Sequence, residues 1–490
     1  MATIFVTNPG NGFDIFANVQ TAVNSAAASG DTIVLPTGTF QFTGQITTTK
    51  KFNLISIMPA VCTWTPLTYT NYNTENGLYL VCSTLLYRPE FMSDSTLSTG
   101  GGGGTSMAFF KFTDPASSPQ TSPTTDGFKI SDIAFYSKQP SLNGYPANGG
   151  GSTAPDGLSL ASDIGINIIK SVDFQITRCR FGYFGNGAIS YSHWDSVSRG
   201  LVYKCYFDSN AKGADGLGLG YGIVVYGENL TWSTNPKFGS NNFLFIEECH
   251  FVYHRHSVAG GGNGRFVVRY CYIQDNVVTY FRSSHAIDAH GRRGGVIGSG
   301  NYFSTHTVEA YNNKIINSVR YDSTHTSSYI PIGGTTNEDD LIERGIFLKE
   351  CFHLCYNNVI KGFRFGAGVQ VETINIYADG NTGYPQKYTF GEPSAITGGA
   401  SNPNGDLGDS WIWNNTVHLL NGNCANFYNY TTSIFQANRD YHLSAYAYTN
   451  ADSTGSGSAY TYPHPLRDDL TPPVAPGTGR RFSLRTFHSR

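Results

Sequence analysis

The chain has 490 residues, with 32 Lys or Arg and 35 Asp or Glu, so its formal net charge is −3. A balance this close to neutral provides no general basic surface, and we therefore predict that nucleic acid is not a partner. With 56 Gly and only 14% charged residues, the composition is unlike that of a helical protein and favours many short strands joined by turns.

The first ten residues, MATIFVTNPG, have neither the charged region nor the apolar region of a signal peptide. No run of about 18 apolar residues, the length that spans a bilayer, occurs in the chain. We therefore predict no membrane insertion and no signal peptide in this chain. We expect an extracellular or virion location, reached after removal of an export signal or by another route out of a cytoplasm.

Residues 14–28 predict a short amphipathic helix. Four apolar residues recur at steps of three and four and would share one face: Phe16, Val19, Val23 and Ala26. The pattern ends at Gly30, where GDTIVLPTGTF predicts a strand and a turn. We assign residues 1–45 to an N-terminal cap and the first turns of the fold.

A strand followed by Cys or Asn, any residue and an apolar residue recurs between about 170 and 420. The Cys or Asn positions are 179, 205, 249, 271, 313, 358 and 415. Their intervals correspond to one or two turns of about 22 residues, the period of a solenoid whose turns contribute strands to long parallel sheets. Stacked Asn residues would hydrogen-bond from turn to turn, and the Cys residues would be buried thiols. We therefore predict a parallel β-helix over 46–470, with Gly- and Ser-rich loops inserted.

The segments HAIDAH (285–290) and HTVEAY (306–311) match without a gap at a shift of 21 residues, close to one turn. Because side chains alternate between the two faces of a strand, one parity must point inward. The inward residues would be Ile287, Ala289, Val308 and Ala310. The opposite parity would form neighbouring outward rows on one sheet: Glu247; Arg269; Asp288 and His290; Glu309 and Tyr311.

These rows place Asp288 beside Glu309, about 4.8 Å away on an adjacent strand. Two carboxylates this close should not both ionise freely, so the pKa of one should rise. We predict Asp288, Glu309, His290 and Arg269 as catalytic residues. The pair would serve retaining glycoside hydrolysis, or it would hold Ca²⁺ while Arg269 or His290 removes a proton in a β-elimination. Calcium is a cofactor only in the second case, and the structural alternative is a merely solvated face.

Further polar residues would bind the substrate in the same cleft. Glu247 and Tyr311 lie in the column of Arg269 and His290. Three residues in the turn after the strand LFIEECHF would border it: His254, Arg255 and His256. A polysaccharide is the expected partner, because exposed Tyr and Trp rings suit the apolar faces of sugars.

The last twenty residues, 471–490, form a separate tail in our interpretation. They begin with a Pro-rich stop and carry four arginines: Arg480, Arg481, Arg485 and Arg490. Such a segment cannot extend the coil and has too little apolar content for a core of its own. We therefore predict that the tail packs on another chain, in a homo-oligomer or a larger assembly.

The helix followed by GDTI, the turns of about 22 residues and the Asn corner together resemble the pectate-lyase-like right-handed parallel β-helix superfamily. The resemblance implies an all-β coil with a short N-terminal capping helix, and a carbohydrate ligand. The superfamily includes polysaccharide lyases, glycoside hydrolases and phage tailspikes, and no catalytic motif of pectate lyases or polygalacturonases matches residue by residue. Two interpretations follow. The chain binds and cleaves an extracellular or cell-surface polysaccharide, or it is a virion receptor-binding protein of the tailspike type, with or without cleavage.

Overall fold

The computed structural model describes about half of the chain, including the strands of the coil. The described residues are 1–26, 29–64, 77–89, 106–114, 126–137, 163–193, 198–208, 210, 220–227, 238–252, 254–274, 285–289, 305–316, 344–349, 352–361, 369–372, 410–418, 424–425, 441–448 and 458–467. His290 and the predicted tail 471–490 lie outside these residues.

Three long sheets, named A, B and C, run along the molecule. Within the described residues, sheet A contains β1 (Thr3–Phe5), β2 (Ser29–Leu35), β5 (Lys51–Ser56), β10 (Lys129–Ser131), β13 (Phe174–Thr177), β16 (Gly200–Tyr203), β19 (Leu244–Glu247), β22 (Arg265–Arg269), β25 (Thr307–Tyr311), β28 (Phe352–Tyr356), β31 (Ser410–Trp413) and β34 (Tyr441–His442). Sheet B contains β3 (Gly38–Gln41), β8 (Thr84–Tyr87), β11 (Ile133–Tyr136), β14 (Arg180–Gly182), β17 (Tyr206–Asp208), β20 (His250–Val252), β23 (Tyr272–Gln274), β26 (Lys314–Ile316), β29 (Val359–Lys361), β32 (Thr416–His418) and β33 (Cys424–Ala425). Sheet C contains β4 (Ile46–Thr48), β9 (Ala108–Thr113), β12 (Ile164–Ile169), β15 (Gly187–Ser192), β18 (Tyr221–Tyr226), β21 (His256–Gly261), β24 (His285–Ala289), β27 (Arg344–Lys349) and β30 (Val369–Glu372). A separate antiparallel hairpin pairs β6 (Val61–Trp64) with β7 (Leu78–Val81).

The chain passes through sheets A, B and C in turn, and successive turns pair in parallel. The right-handed parallel β-helix predicted from the sequence is thus confirmed, with the handedness expected of parallel crossovers. The predicted period of about 22 residues does not hold in every turn, because one turn takes 44 residues from β16 to β19 and 42 from β22 to β25. Helix α1 (Phe16–Ser25) lies within the predicted 14–28. Its buried residues Val19 and Val23 join the main core and close the N-terminal end of the coil. No described helix is long and apolar enough to cross a membrane.

The corner between sheets A and B explains the repeat in the sequence. One residue in each of several turns adopts a positive φ there, such as Glu248 at 49°. The following residue points into the core, and four such positions hold free, buried thiols: Cys179, Cys205, Cys249 and Cys271. Further along, Asn313 Nδ2 donates to Asn358 Oδ1 at 3.0 Å, and Asn358 Nδ2 donates to Asn415 Oδ1 at 2.9 Å. The predicted Asn corner and buried thiols are confirmed.

The interior of the coil follows the predicted alternation. All four residues assigned to the inward parity are buried in the main core: Ile287, Ala289, Val308 and Ala310. Each large apolar side chain buried in this way contributes about 1.5–3 kcal/mol to folding. The inward parity therefore holds, and the residues between these positions point out of the coil.

The outer face of sheet A is covered by a segment that we call the C-terminal strap, residues 458–467. The rings of Tyr460 and His464 lie 5.1 and 4.5 Å from the ring of Phe245 in β19. A second apolar cluster fills this face and includes Leu201, Tyr203, Phe238, Phe243, Phe245, Val267, Tyr311, Phe352, Leu354 and Tyr356. The outward-pointing residues of sheet A from β16 to β28 are consequently enclosed and not exposed to solvent.

Candidate functional site

The predicted catalytic pair is wrong, because its two carboxylates lie on different sheets. Asp288 belongs to β24 in sheet C, where its register partners are Ala259 and Phe347. Glu309 belongs to β25 in sheet A and is paired with Val267 and Leu354. The alignment at a shift of 21 residues matched two consecutive strands of the coil, β24 and β25, and not the same strand in two successive turns. One full turn here, from β22 to β25, takes 42 residues.

Glu247, Arg269 and Tyr311 form a column in register, but Arg269 pairs directly with Tyr311, without the predicted His290 between them, and the column is buried under the strap. Arg269 Nε donates to Glu247 Oε1 at 2.7 Å, and Arg269 Nη1 donates to Tyr311 Oη at 2.8 Å. The same guanidinium donates to the backbone oxygens of Tyr460 and Thr461 at 2.6 and 2.7 Å. Arg269 is therefore held on all sides by the fold, and a catalytic role for it lacks geometric support.

Glu309 is also enclosed beneath this face. Its exposed fraction is 1%, and its Oε1 accepts a hydrogen bond from the backbone N–H of Gly239 at 2.8 Å. Burial raises the pKa of Glu309 to about 7, against the lowering effects of that hydrogen bond and of Arg269. The predicted rise in a carboxylate pKa is present, but its cause is burial and not a neighbouring carboxylate.

His254 lies at the corner between sheets B and C and does not border an open cleft. Its Nδ1 accepts the backbone N–H of Asn210 at 3.3 Å, and its ring packs on Phe251. Burial lowers the pKa of His254 to about 3, so the ring is neutral at ordinary pH. His254 therefore has a structural role, in which its ring stabilises the corner between sheets B and C.

Two of the predicted substrate-binding residues, Arg255 and His256, lie close to Asp288 at sheet C. We define the sheet C cluster as Tyr221, Arg255, His256, His285 and Asp288. Tyr221, His256 and His285 share one register position on β18, β21 and β24. The His256 ring stacks between the other two, with centroids 5.6 Å from Tyr221 and 5.1 Å from His285.

A bend at Gly222 puts these rings on the outside of the coil. A Cβ at Gly222 would lie 2.9 Å from the core ring of Phe251 and 2.5 Å from the backbone oxygen of Ser257, so this position faces inward and has no room for a side chain. Ile223, the next residue, also belongs to the main core. Two consecutive inward positions turn Tyr221 outward, where it packs with Val224 and Ala259 in a small separate cluster.

Polar contacts fix the orientation of each member of the sheet C cluster. His256 Nε2 lies 3.4 Å from Asp288 Oδ2, and His256 Nδ1 accepts the backbone N–H of His285 at 3.2 Å. Arg255 Nη1 donates to Tyr221 Oη at 3.1 Å. His256 is thus hydrogen-bonded through Nδ1 and faces Asp288 with Nε2, while Arg255 donates to the phenol oxygen of Tyr221.

The cluster has an inner part and an outer edge. Asp288 has an exposed fraction of 0% and His256 one of 1%, whereas Tyr221 and Arg255 reach 5% and 8%. All five members of the cluster are buried, and Tyr221 and Arg255 are the two least buried of them. His256 and Asp288 lie behind them and hold the arrangement in place.

Sequence reasoning missed Tyr221 and His285 because neither belongs to the aligned outward parity. A signal was present: a ring residue occurs at the start of three strands that occupy the same position in successive turns. In the part of the chain that the structure describes, no three His, Cys, Asp or Glu side chains converge as metal ligands would. The cluster is thus a set of one phenol, one guanidinium, two imidazoles and one carboxylate.

Comparisons with known proteins show a similarity of fold and nothing more. No family model and no curated protein matches the chain. An alginate lyase from a Paenibacillus species is 14% identical, with a TM-score of 0.37 over 76% of this chain and 91% of that one. A mannuronic-acid-specific polysaccharide family 6 lyase from human gut microbiota is 12% identical, with a TM-score of 0.41 over 86% and 76%. A pectin methylesterase from Erwinia chrysanthemi is 11% identical, with a TM-score of 0.36 over 64% and 78%. This chain is similar to these proteins in its parallel β-helix fold.

Proposed function

We propose that the protein is a carbohydrate-active enzyme that cleaves a uronate-containing polysaccharide by β-elimination at the sheet C cluster. The observation that carries the proposal is the hydrogen bond of 3.1 Å from Arg255 to Tyr221 Oη at the outer edge of this cluster. A base and a fixed cation beside it are the two groups that this reaction needs. A substrate of this class is found outside cells, in agreement with an extracellular or virion location.

The reaction assigns a separate task to each residue. The planar guanidinium of Arg255 binds the carboxylate of the uronate, whose charge would otherwise oppose loss of the neighbouring proton. Tyr221, as phenolate, takes the proton from the carbon next to that carboxylate. The electrons of this bond form the new carbon–carbon double bond as the glycosidic carbon–oxygen bond breaks. Tyr221 then returns the proton to the leaving oxygen, so no water is consumed.

His256 and Asp288 support this edge as positioning residues. His256 stacks on the Tyr221 ring at 5.6 Å, and Asp288 lies against its Nε2 at 3.4 Å. Rigid support of this kind matters because misplacement of a base by about 1 Å can cost about 10²-fold in rate. We therefore expect these two residues to affect the position of Tyr221 without touching the substrate.

Elimination fits the described residues better than hydrolysis. Retaining hydrolysis needs two carboxyl groups about 5–5.5 Å apart across the scissile bond. Asp288 and Glu309 were the candidates for that pair, and they occupy different sheets. Arg255 and Tyr221, in contrast, are in direct contact.

The test uses Tyr221→Phe and Arg255→Lys with polymannuronate, polyguluronate and polygalacturonate as separate substrates. Cleavage by elimination is followed by the ultraviolet absorbance of the unsaturated uronate product. We expect the wild-type protein to cleave at least one of the three, and each variant to lose about 10²-fold or more in rate. Both variants should keep the wild-type melting temperature within a few degrees.

Tyr226→Phe is the matched control, because Tyr226 ends the same strand, is 38% exposed and lies outside the cluster. It should retain the wild-type rate. Release of saturated reducing ends without absorbance would establish hydrolysis and overturn the proposal. So would the absence of cleavage of all three substrates, or full activity in Tyr221→Phe.

A further inference from the structure

An aromatic column runs along the outer face of sheet A, from Tyr311 under the strap towards the C-terminal end of the coil. Tyr311, Tyr356 and Trp413 share one register position on β25, β28 and β31. The rings of Tyr311 and Tyr356 are 4.6 Å apart, those of Tyr356 and Trp413 are 4.2 Å apart, and both pairs are within 9° of parallel. Each ring therefore covers the face of the ring in the preceding turn.

The column ends at Trp413. In the described part of the chain, β34 pairs with β31 at Ser410 and Trp411 and stops at His442, two residues short of a partner for Trp413. The neighbouring Trp411 is capped, because the His442 ring stacks on it at 4.8 Å and 17°. Trp413 is partly exposed. The indole face that points away from Tyr356 is thus the terminal surface of the column.

Two amides lie at the corner of the coil that follows the last two strands of this column. Asn357 and Asn414 follow Tyr356 and Trp413 directly, adopt positive φ values of 54° and 51°, and are exposed at the corner of the coil. Asn414 Nδ2 donates to Asn357 Oδ1 at 2.5 Å, which fixes both side chains beside the aromatic column. An Asn amide can both donate and accept hydrogen bonds. Two exposed hydrogen-bonding side chains therefore follow the last two rings of the column directly in the chain.

We propose that Trp413, Asn414 and Asn357 form a second saccharide-binding site, on a different sheet from the sheet C cluster. The ligand is a pyranose ring of a glycan chain, whose C–H face continues the stack on Trp413 while its hydroxyl groups bond to the two amides. Trp has the largest flat apolar face of the aromatic residues, and this face suits the C–H face of a sugar ring. A hydroxyl-rich ligand matches the amide rim better than an aliphatic protein surface does.

The charges near the column indicate which sugars this site accepts. Arg269 lies next to Tyr311, at the end of the column opposite Trp413, and is enclosed by Glu247, Tyr311 and the strap. The two polar side chains that follow Tyr356 and Trp413 in the chain, Asn357 and Asn414, are neutral amides. The site should consequently hold neutral and acidic pyranoses alike, in contrast to the sheet C cluster, where Arg255 requires a carboxylate. It would retain a polysaccharide on the protein independently of cleavage.

The experiment measures retention in affinity electrophoresis gels that contain either polymannuronate or a neutral β-linked glucan. We expect the wild-type protein to be retarded in both gels. Trp413→Ala should weaken the apparent Kd about 3- to 10-fold in both, as loss of one stacking contact implies. Trp413→Phe should restore part of the binding, since it keeps a smaller ring in the column.

Tyr79→Ala is the control, because Tyr79 is 61% exposed on the separate β6–β7 hairpin. It should bind as the wild type does. Equal binding by Trp413→Ala, equal loss in Tyr79→Ala, or failure of the wild-type protein to bind the neutral glucan would each overturn the inference. The outcome is separable from that of the proposed reaction, because Arg255→Lys should still bind the glucan and Trp413→Ala should still cleave short uronate oligomers.

Discussion

The outer faces of sheets A and C carry the same kinds of residue in different surroundings. On sheet A, Arg269 contacts Glu247, Tyr311 and two backbone oxygens of the strap, and its exposed fraction is 0%. On sheet C, Arg255 contacts Tyr221 at the edge of its cluster, with 8% exposed. An arginine, a tyrosine and a carboxylate thus form an enclosed structural network on sheet A and a candidate site on sheet C.

The difference is produced by what lies over each face. Residues that point out of a parallel coil are polar where solvent or a ligand can reach them. When a further segment of the chain covers such residues, they form buried ion pairs instead. The strap does this on sheet A, where Arg467 adds a second cation 2.7 Å from Glu247 Oε2. A polar outward column therefore indicates function only when its edge remains open to a ligand.

The largest effect that would test this contrast is loss of the buried carboxylate on sheet A. Glu247→Gln leaves the charge of Arg269 enclosed and without its counter-ion, at a cost of about 3–5 kcal/mol of unfolding free energy. Urea unfolding of the variant and the wild type measures the difference. Activity per folded molecule should be unchanged, because Glu247 does not belong to the sheet C cluster.

The matched control is Asp173→Asn. Asp173 forms a two-bond ion pair with Arg199 at 2.7–2.8 Å, but the two side chains are 35% and 33% exposed. Exposed pairs of this kind contribute about 0–1 kcal/mol. If Glu247→Gln costs no more than Asp173→Asn, the strap does not enclose Arg269 as described.

A smaller effect is expected from pH. Burial raises the pKa of Glu309 from 4.5 to about 7, so this group favours the folded state fully below about pH 4.5. Its contribution is lost as pH rises through 7, and the total change is on the order of 3 kcal/mol. Glu309→Gln keeps an oxygen for the Gly239 N–H and should remove this dependence. Urea midpoints at pH 5 and pH 8 measure it.

Other buried groups change stability in the opposite sense. Burial lowers the pKa values of His254, His353 and His464 to about 3, so their contributions are present above about pH 6.5 and are lost as pH falls. The difference between wild type and Glu309→Gln isolates the carboxyl group from these histidines. An identical pH profile in both proteins would contradict the assignment.

The fold could be predicted from the sequence because the coil repeats the same local rule. The corner has a buried Cys or Asn after a residue of positive φ, as at Cys249 and Asn358, and every turn from β13 to β31 shows this pattern. Strand alternation likewise fixed the inward positions Ile287 and Val308. Both features depend on neighbours that are close in sequence or one turn away.

The site could not be predicted in the same way, because alternation does not reveal which sheet a strand joins. HAIDAH and HTVEAY obey one pattern, yet they contain consecutive strands of the coil, so Asp288 belongs to sheet C and Glu309 to sheet A. Coverage by the strap was equally hidden, since Arg467 is 220 positions away from Glu247. Register and coverage are long-range properties, and they decide which polar residues meet a ligand.

The smallest expected effect concerns metal removal, and it sharpens the contrast between the two arginines. In the proposed reaction Arg255 supplies the positive charge that binds the uronate carboxylate, a task that Ca²⁺ would otherwise perform. We therefore expect EDTA to leave the rate of unsaturated product formation unchanged, and added Ca²⁺ to leave Arg255→Lys as slow as before. Arg269, which is enclosed on sheet A, supplies no such charge in either condition. Loss of activity in EDTA, restored by Ca²⁺ in the wild-type protein, would instead assign neutralisation to a metal and reduce Arg255 to a support for Tyr221.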